Sequence, residues 1–288
     1  MSDTDPTPWS LPGANGLPIL GDTRTPPGGE APTGTLLIAH GFKGYKDYGF
    51  LPRLADAAAA YGLAAVAFNF SHSGMEEREG DFTRPDLFAL DTWNKQATDW
   101  HALLAAVRAG RVPGAPAGGP VAFFGHSRGG LSALLAAARL PGTDRPAAVV
   151  TAAAPADASR LGPEDAAALR RGEAIDSPSG RTGQTLRVMP GWLLEQDADP
   201  EGHDPVQAAG VLGEAGVPLL VLHGTEDETV DPADASRLAG AAGVTPVMIE
   251  GGNHVFGAPN PMPPGAEVPA ATRHLFEEVL GFLKPVLG

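Results

Sequence analysis

Apolar residues in this chain fall into two rhythms. Short unbroken runs at residues 35–39, 63–70, 121–124, 147–152, 218–223 and 246–249 read as strands buried on both faces. Between them apolar positions return every three or four residues, the spacing of a helix with one covered face. Residues 51–61 set Leu51, Leu54, Ala55 and Ala58 on one side, with Gly62 as the stop. A longer helix runs from an N-cap at Asp91 to Gly110, and its stripe of Trp93, Ala97, Trp100, Leu104 and Val107 assigns both tryptophans to the core. Further helices are predicted at 131–140, 232–242 and 272–283, with a short edge hairpin at 16–23. Strands alternating with helices imply a mostly parallel central sheet flanked by helices, with ligands bound at the carboxyl ends of the strands.

One stretch breaks the alternation. Residues 156–216 separate two strands by about sixty positions, far beyond the usual connection of two to six residues. They are expected to form an inserted lid within a single domain spanning 1–288.

Composition changes this picture little. The chain is 43% hydrophobic, enough for a buried sheet, and its 29 prolines and 38 glycines imply many loops. A formal charge of -14 repels phosphate backbones and anionic membranes, which argues against a nucleic-acid or membrane partner. There are no cysteines, so a thiolate nucleophile and any cysteine-based metal site are excluded. Residues 1–16 lack the basic start and apolar centre of a signal peptide, and no apolar run is long enough to cross a bilayer, so a cytoplasmic location is expected.

Candidate chemistry enters at Gly125-His126-Ser127-Arg128-Gly129, which fits G-x-S-x-G between an apolar strand and an alanine-rich helix. A strand-to-helix turn that tight holds its serine in strained dihedrals above the sheet, making Ser127 the candidate nucleophile. The strand ending at His223 leads into a loop carrying Glu226, Asp227 and Glu228. Of these Asp227 is chosen as the acid, with the two glutamates solvated, and Asp231 before Pro232 is read as a helix cap. His254 follows the last strand on a glycine loop and is the candidate base. The order Ser, Asp, His is that of α/β-hydrolases. His40-Gly41-Phe42 closes the first clear strand, so the backbone N–H groups of Phe42 and Arg128 are assigned to the oxyanion hole, with His40 orienting the loop and His126 structural. His101, His203 and His274 are read as packed or solvent-facing.

These segments, with Phe68-Asn69-Phe70 and Gly251 to His254, resemble the α/β-hydrolase superfamily over roughly residues 35–287. Within it the chain looks like the bacterial branch of cinnamoyl and feruloyl esterases and serine aminopeptidase-like hydrolases. Dienelactone hydrolases share the layout but use a cysteine nucleophile. The segment 179–184 also looks like a feature of bacterial members, with no role to assign. The resemblance implies the α/β-hydrolase fold and a serine hydrolase that needs no cofactor.

Hydrolysis of a small carboxylic ester through an acyl-enzyme is the leading expectation. The same triad would also serve an amide, peptide or acyl-thioester, and the fold alone is compatible with a non-catalytic binding protein. No histidine pairing on a predicted helix suggests a metal. Acyl preference is expected to come from the insertion, where Leu186, Val188, Met189, Trp192, Leu193 and Leu194 cluster. Met189, Trp192 and Leu193 are the candidate pocket residues.

Overall fold

The computed structural model describes residues 6–76, 80–263 and 265–288. Residues 1–5, part of the stretch 1–16 in which no signal peptide is expected, lie outside the described residues. The chain begins with an antiparallel hairpin of β1 (Thr7–Pro12) and β2 (Pro18–Arg24). The predicted hairpin at 16–23 is thus one strand of a larger one. Its partner was hidden by Pro8 and Pro12, which sit at alternate positions, so that their missing N–H groups turn toward the open edge of the sheet.

The body then follows the predicted alternation: β3 (Thr35–Ala39), α1 (Leu51–Ala60), β4 (Ala64–Asn69), α2 (Pro85–Ala89), α3 (Trp93–Arg108), β5 (Val121–His126), α4 (Arg128–Arg139) and β6 (Ala148–Ala152). Next come α5 (Pro163–Arg170), β7 (Ile175–Pro178), β8 (Thr185–Val188), α6 (Gly191–Ala198) and α7 (Pro205–Glu214). The chain closes with β9 (Leu219–Gly224), α8 (Ala233–Ala242), β10 (Val247–Ile249) and α9 (Ala270–Leu287). The main sheet has the order β1-β2-β4-β3-β5-β6-β9-β10. Within this sheet the described pairings of β2 are antiparallel, and those joining β4, β3, β5, β6, β9 and β10 are parallel.

Burial follows the period of two that a strand imposes. Leu37, Ala39, Phe123, Val149 and Val221 join one core layer with residues of α3, α4, α7 and α8. Leu36, Ile38, Phe124, Val150 and Leu222 join the other with residues of α1 and α9. Both tryptophans of α3 are buried, and Trp100 stacks on Phe123 with ring centroids 4.2 Å apart. Among the described residues no helix is long and apolar enough to cross a membrane.

Two expectations need correction. The cap of α3 is Thr92, whose hydroxyl accepts the Lys95 N–H, and not Asp91. Thr92 is the residue with extended dihedrals, which leaves Asp91 free to bind Gln96 and Arg128. The stretch 156–216 is also not all insertion. Helix α7 packs against α4 and α8 as an ordinary crossover helix, so the part outside the sandwich ends before Pro205. That part holds α5, the two-stranded β7–β8 hairpin and α6.

Candidate active site

Ser127 stands between β5 and α4 with φ 54° and ψ -125°, a conformation disfavoured for any L-residue. Neighbouring glycines let the turn close. A Cβ on Gly125 would lie 2.2 Å from the Gly129 carbonyl oxygen, and one on Gly129 would lie 2.4 Å from that of His40. The Ser127 N–H donates to the Ala152 carbonyl at 2.7 Å, which fixes the turn to β6.

The three residues chosen from their motifs meet above the sheet. His254 Nε2 lies 3.0 Å from Ser127 Oγ, and His254 Nδ1 lies 2.9 Å from Asp227 Oδ2. The loops that carry the acid and the histidine are joined by the Glu226 N–H, which donates to the Gly252 carbonyl at 2.9 Å. Glu226 and Glu228 are exposed, whereas Asp227 is buried.

Burial by itself would raise the Asp227 pKa. Hydrogen bonds from His223, His254 and the Val230 N–H outweigh it and hold the carboxyl well below the usual range. Its other oxygen accepts the Thr229 and Val230 N–H groups at 2.8 and 2.9 Å. His223 is a partner that sequence reasoning missed. It is fully buried, and its Nε2 lies 3.1 Å from both Asp227 Oδ2 and the Val230 carbonyl. Its signal was positional, four residues before the acid at the end of a strand.

His126 Nε2–H donates to the His254 carbonyl at 2.8 Å, and burial lowers its pKa to about 3, so it is neutral. His40 donates from Nδ1 to the Gly41 carbonyl at 2.9 Å and is likewise held to about 4 by burial. Away from this site, His101 meets the Ala136 carbonyl, His203 the Asp199 carbonyl and the exposed His274 the half-buried Glu278. Among the described residues no group of three or more acidic or histidine side chains could hold a metal ion.

The His40-Gly41-Phe42 loop presses against the serine, since a Cβ on Gly41 would lie 3.0 Å from Ser127 Cβ. Among the described residues the N–H groups of Phe42 and Arg128 donate to no other protein group. Arg128 opens α4, where the first N–H groups lack an intrahelical partner and the helix dipole favours negative charge.

Ser127 opens into a cleft of about 340 Å³ walled by Phe42, Trp93, Trp192, Ile175, Val188 and Val230. Three of those rings surround the Arg128 guanidinium: its carbon lies 4.4 Å from the Trp93 ring centroid, 5.1 Å from Phe42 and 5.6 Å from Trp192. Asp91 accepts from the same guanidinium at 3.0 Å. Of the three candidate pocket residues only Trp192 is on the wall. Leu193 shares the main core with Trp192 but, about 100° further round the helix, does not line the cleft, and Met189 precedes α6 with its N–H bound to the Ala89 carbonyl. Leu186 belongs to a separate cluster with Tyr45, Met75, Phe82 and Phe88, and Leu194 is exposed. Conversely Trp93, read as core alone, also walls the cleft.

A family model described as the alpha/beta hydrolase family matches residues 36–268. No curated protein matches the chain in sequence. Among solved structures, ferulic acid-bound Est1E from Butyrivibrio proteoclasticus superimposes with a TM-score of 0.69 at 18% identity, covering 96% of this chain and 98% of its own. The esterase domain of a Rhodothermus marinus protein gives 0.63 at 19% identity, covering 99% and 100%. A Xanthomonas campestris serine hydrolase described as without lid gives 0.57 at 18%, covering 100% and 97%.

Proposed function

The chain belongs to the alpha/beta hydrolase family, and from that premise we propose that it is a serine hydrolase cleaving small carboxylic esters through an acyl-enzyme. The observation that carries this reading is the unbroken relay from Ser127 Oγ through His254 to Asp227, with both hydrogen-bonding distances at or under 3.0 Å.

In this reading His254 Nε2 takes the Ser127 proton as Oγ attacks the ester carbonyl, and the Asp227 carboxylate fixes the tautomer and stabilises the imidazolium. The developing oxyanion accepts from the Phe42 and Arg128 N–H groups, donors whose loss in comparable sites raises the barrier by about 3 to 4 kcal/mol. His254 then gives the proton to the departing alcohol. Water attacks the acyl-enzyme with His254 again as base, and the acid leaves with Ser127 restored.

The cleft suits a small acyl group, and its aromatic wall favours a flat one stacked on Trp192 or Phe42. Est1E, which binds ferulic acid in its structure, has the same fold. Residues 156–204, which supply Ile175, Val188 and Trp192 to that wall, are proposed to act as a lid on the single domain.

Pre-steady-state hydrolysis of nitrophenyl acetate and nitrophenyl butyrate tests the reading. A burst of one nitrophenolate per chain should precede steady turnover, and Ser127→Ala should abolish both. Turnover confined to acyl-thioesters or peptide amides in a parallel panel would replace the ester assignment, and persistence of the burst in Ser127→Ala would refute it.

A further inference from the structure

Behind the loop that carries Phe42 lies a second, much smaller cavity of about 10 Å³, whose wall includes His40, Asp91, Gln96 and Arg128. Each of these four side chains has one buried polar atom without a protein partner: His40 Nε2, Asp91 Oδ1, Gln96 Oε1 and Arg128 Nε. Other polar atoms of the same side chains have protein partners. His40 Nδ1 faces the Gly41 carbonyl at 2.9 Å, and Asp91 Oδ2 accepts from Gln96 Nε2 at 2.7 Å and from Arg128 Nη2 at 3.0 Å. All four unpartnered atoms belong to side chains that line the cavity.

Their chemistry specifies a ligand. His40 donates from Nδ1, so its Nε2 keeps a lone pair, and its lowered pKa keeps the ring neutral. The Gln96 amide cannot be reversed, because Asp91 Oδ2 only accepts and so requires the NH₂ side. Three acceptors and one donor therefore share a space the size of one water molecule. A metal cation would satisfy the acceptors but would stand against the Arg128 guanidinium. An apolar occupant would leave all four atoms desolvated and unpaired.

We propose that this cavity binds one water molecule, which accepts from Arg128 Nε–H and donates to two of Asp91 Oδ1, His40 Nε2 and Gln96 Oε1, and that Gln96 thereby acts as a positioning residue for the oxyanion hole. His40 stands two residues before Phe42, and Arg128 carries the second N–H donor, so the water ties both donor segments to the start of α3. The binding site follows from the four atoms alone. The positioning role rests on the reading of the Phe42 and Arg128 N–H groups given above.

A crystal structure at about 1.5 Å tests the site. One density peak within hydrogen-bonding distance of Arg128 Nε and of at least two of the other three atoms is expected. An empty cavity, or a peak with the short contacts of a metal ion, would overturn the proposal. Gln96→Met keeps the volume, removes the acceptor together with the Nε2 donor to Asp91, and alters no residue that lines the cleft. It should lower kcat for a nitrophenyl ester about tenfold with KM within about twofold, since the oxyanion donors are displaced but retained. Binding of a trifluoromethyl ketone, which forms the oxyanion, should weaken in parallel. Unchanged kcat and ketone affinity with the water present would sink the positioning role. If the wild type hydrolyses no ester at all, the density still decides the site, and the positioning role falls with the functional reading.

Discussion

At the scale of the residue, Asp227 shows how a buried carboxylate is kept charged. Four donors, from His223, His254, Thr229 and Val230, converge on its two oxygens and offset its desolvation. Asp227→Asn would present an NH₂ group or a weaker acceptor to His254 and favour the wrong tautomer, so kcat should fall by about 10⁴ with the fold intact. Glu226→Gln and Glu228→Gln, both at exposed positions, should leave kcat within about twofold. Reversal of that ranking in steady-state assays would reassign the acid. Ser127, Asp227 and His254 were legible because a motif and a chain order mark them. His223 and the Arg128 guanidinium were not, since their roles depend on which side chains the fold brings against them. Asp91 misled for a related reason: the cap of α3 is a matter of backbone dihedrals, and Thr92 adopts them one position later.

At the scale of the element, the sheet strands were readable because burial on both faces demands continuous apolar runs, whereas β1 was masked by prolines that only an edge strand tolerates. The insertion was legible as a length and not as a surface. Within α6, Trp192 and Leu193 are neighbours in sequence with different surroundings, so they should separate in experiment. Trp192→Ala should shift the preference between acetyl and bulky aromatic esters, along with the stability loss of any buried aromatic, about 3–5 kcal/mol. Leu193→Ala should lower stability by about 2–5 kcal/mol, as buried leucines do, with an unchanged substrate profile. Denaturant unfolding and an ester panel on both variants check this, and the same substrate profile for both would remove the distinction. The segment 179–184, without a role in the sequence, clasps the hairpin to the body. Arg181 lies over the Tyr45 and Phe82 rings at 5.0 and 5.1 Å, and the Gln184 amide brackets the Phe82 backbone at 2.7 and 3.1 Å. Gln184→Ala should therefore speed hydrogen exchange at the Phe82 amide, and unchanged exchange there would contradict the clasp.

At the scale of the whole molecule, buried titratable groups oppose one another on acidification. His40 and His126 are held neutral, at about 4 and 3, below the ordinary 6.5. Their contribution to stability is complete above pH 6.5 and is lost as pH falls toward those values, roughly 3 kcal/mol or more for each. Asp91 and Asp99 act in the other direction. Burial raises both to about 6, so their contribution is complete below 3.8 and is lost as pH rises through 6. Because the two effects overlap, a single substitution isolates one of them. His126→Gln should melt with a smaller drop in Tm between pH 6.5 and 4 than the wild type, and parallel curves would mean that His126 titrates normally. Ser127 is proposed as the activated serine, and intact-protein mass spectrometry after exposure to a fluorophosphonate tests that assignment most directly. One phosphonyl adduct per chain is expected, mapped to the peptide containing Ser127 and missing from Ser127→Ala. An adduct that survives Ser127→Ala, or maps to another residue, would contradict it.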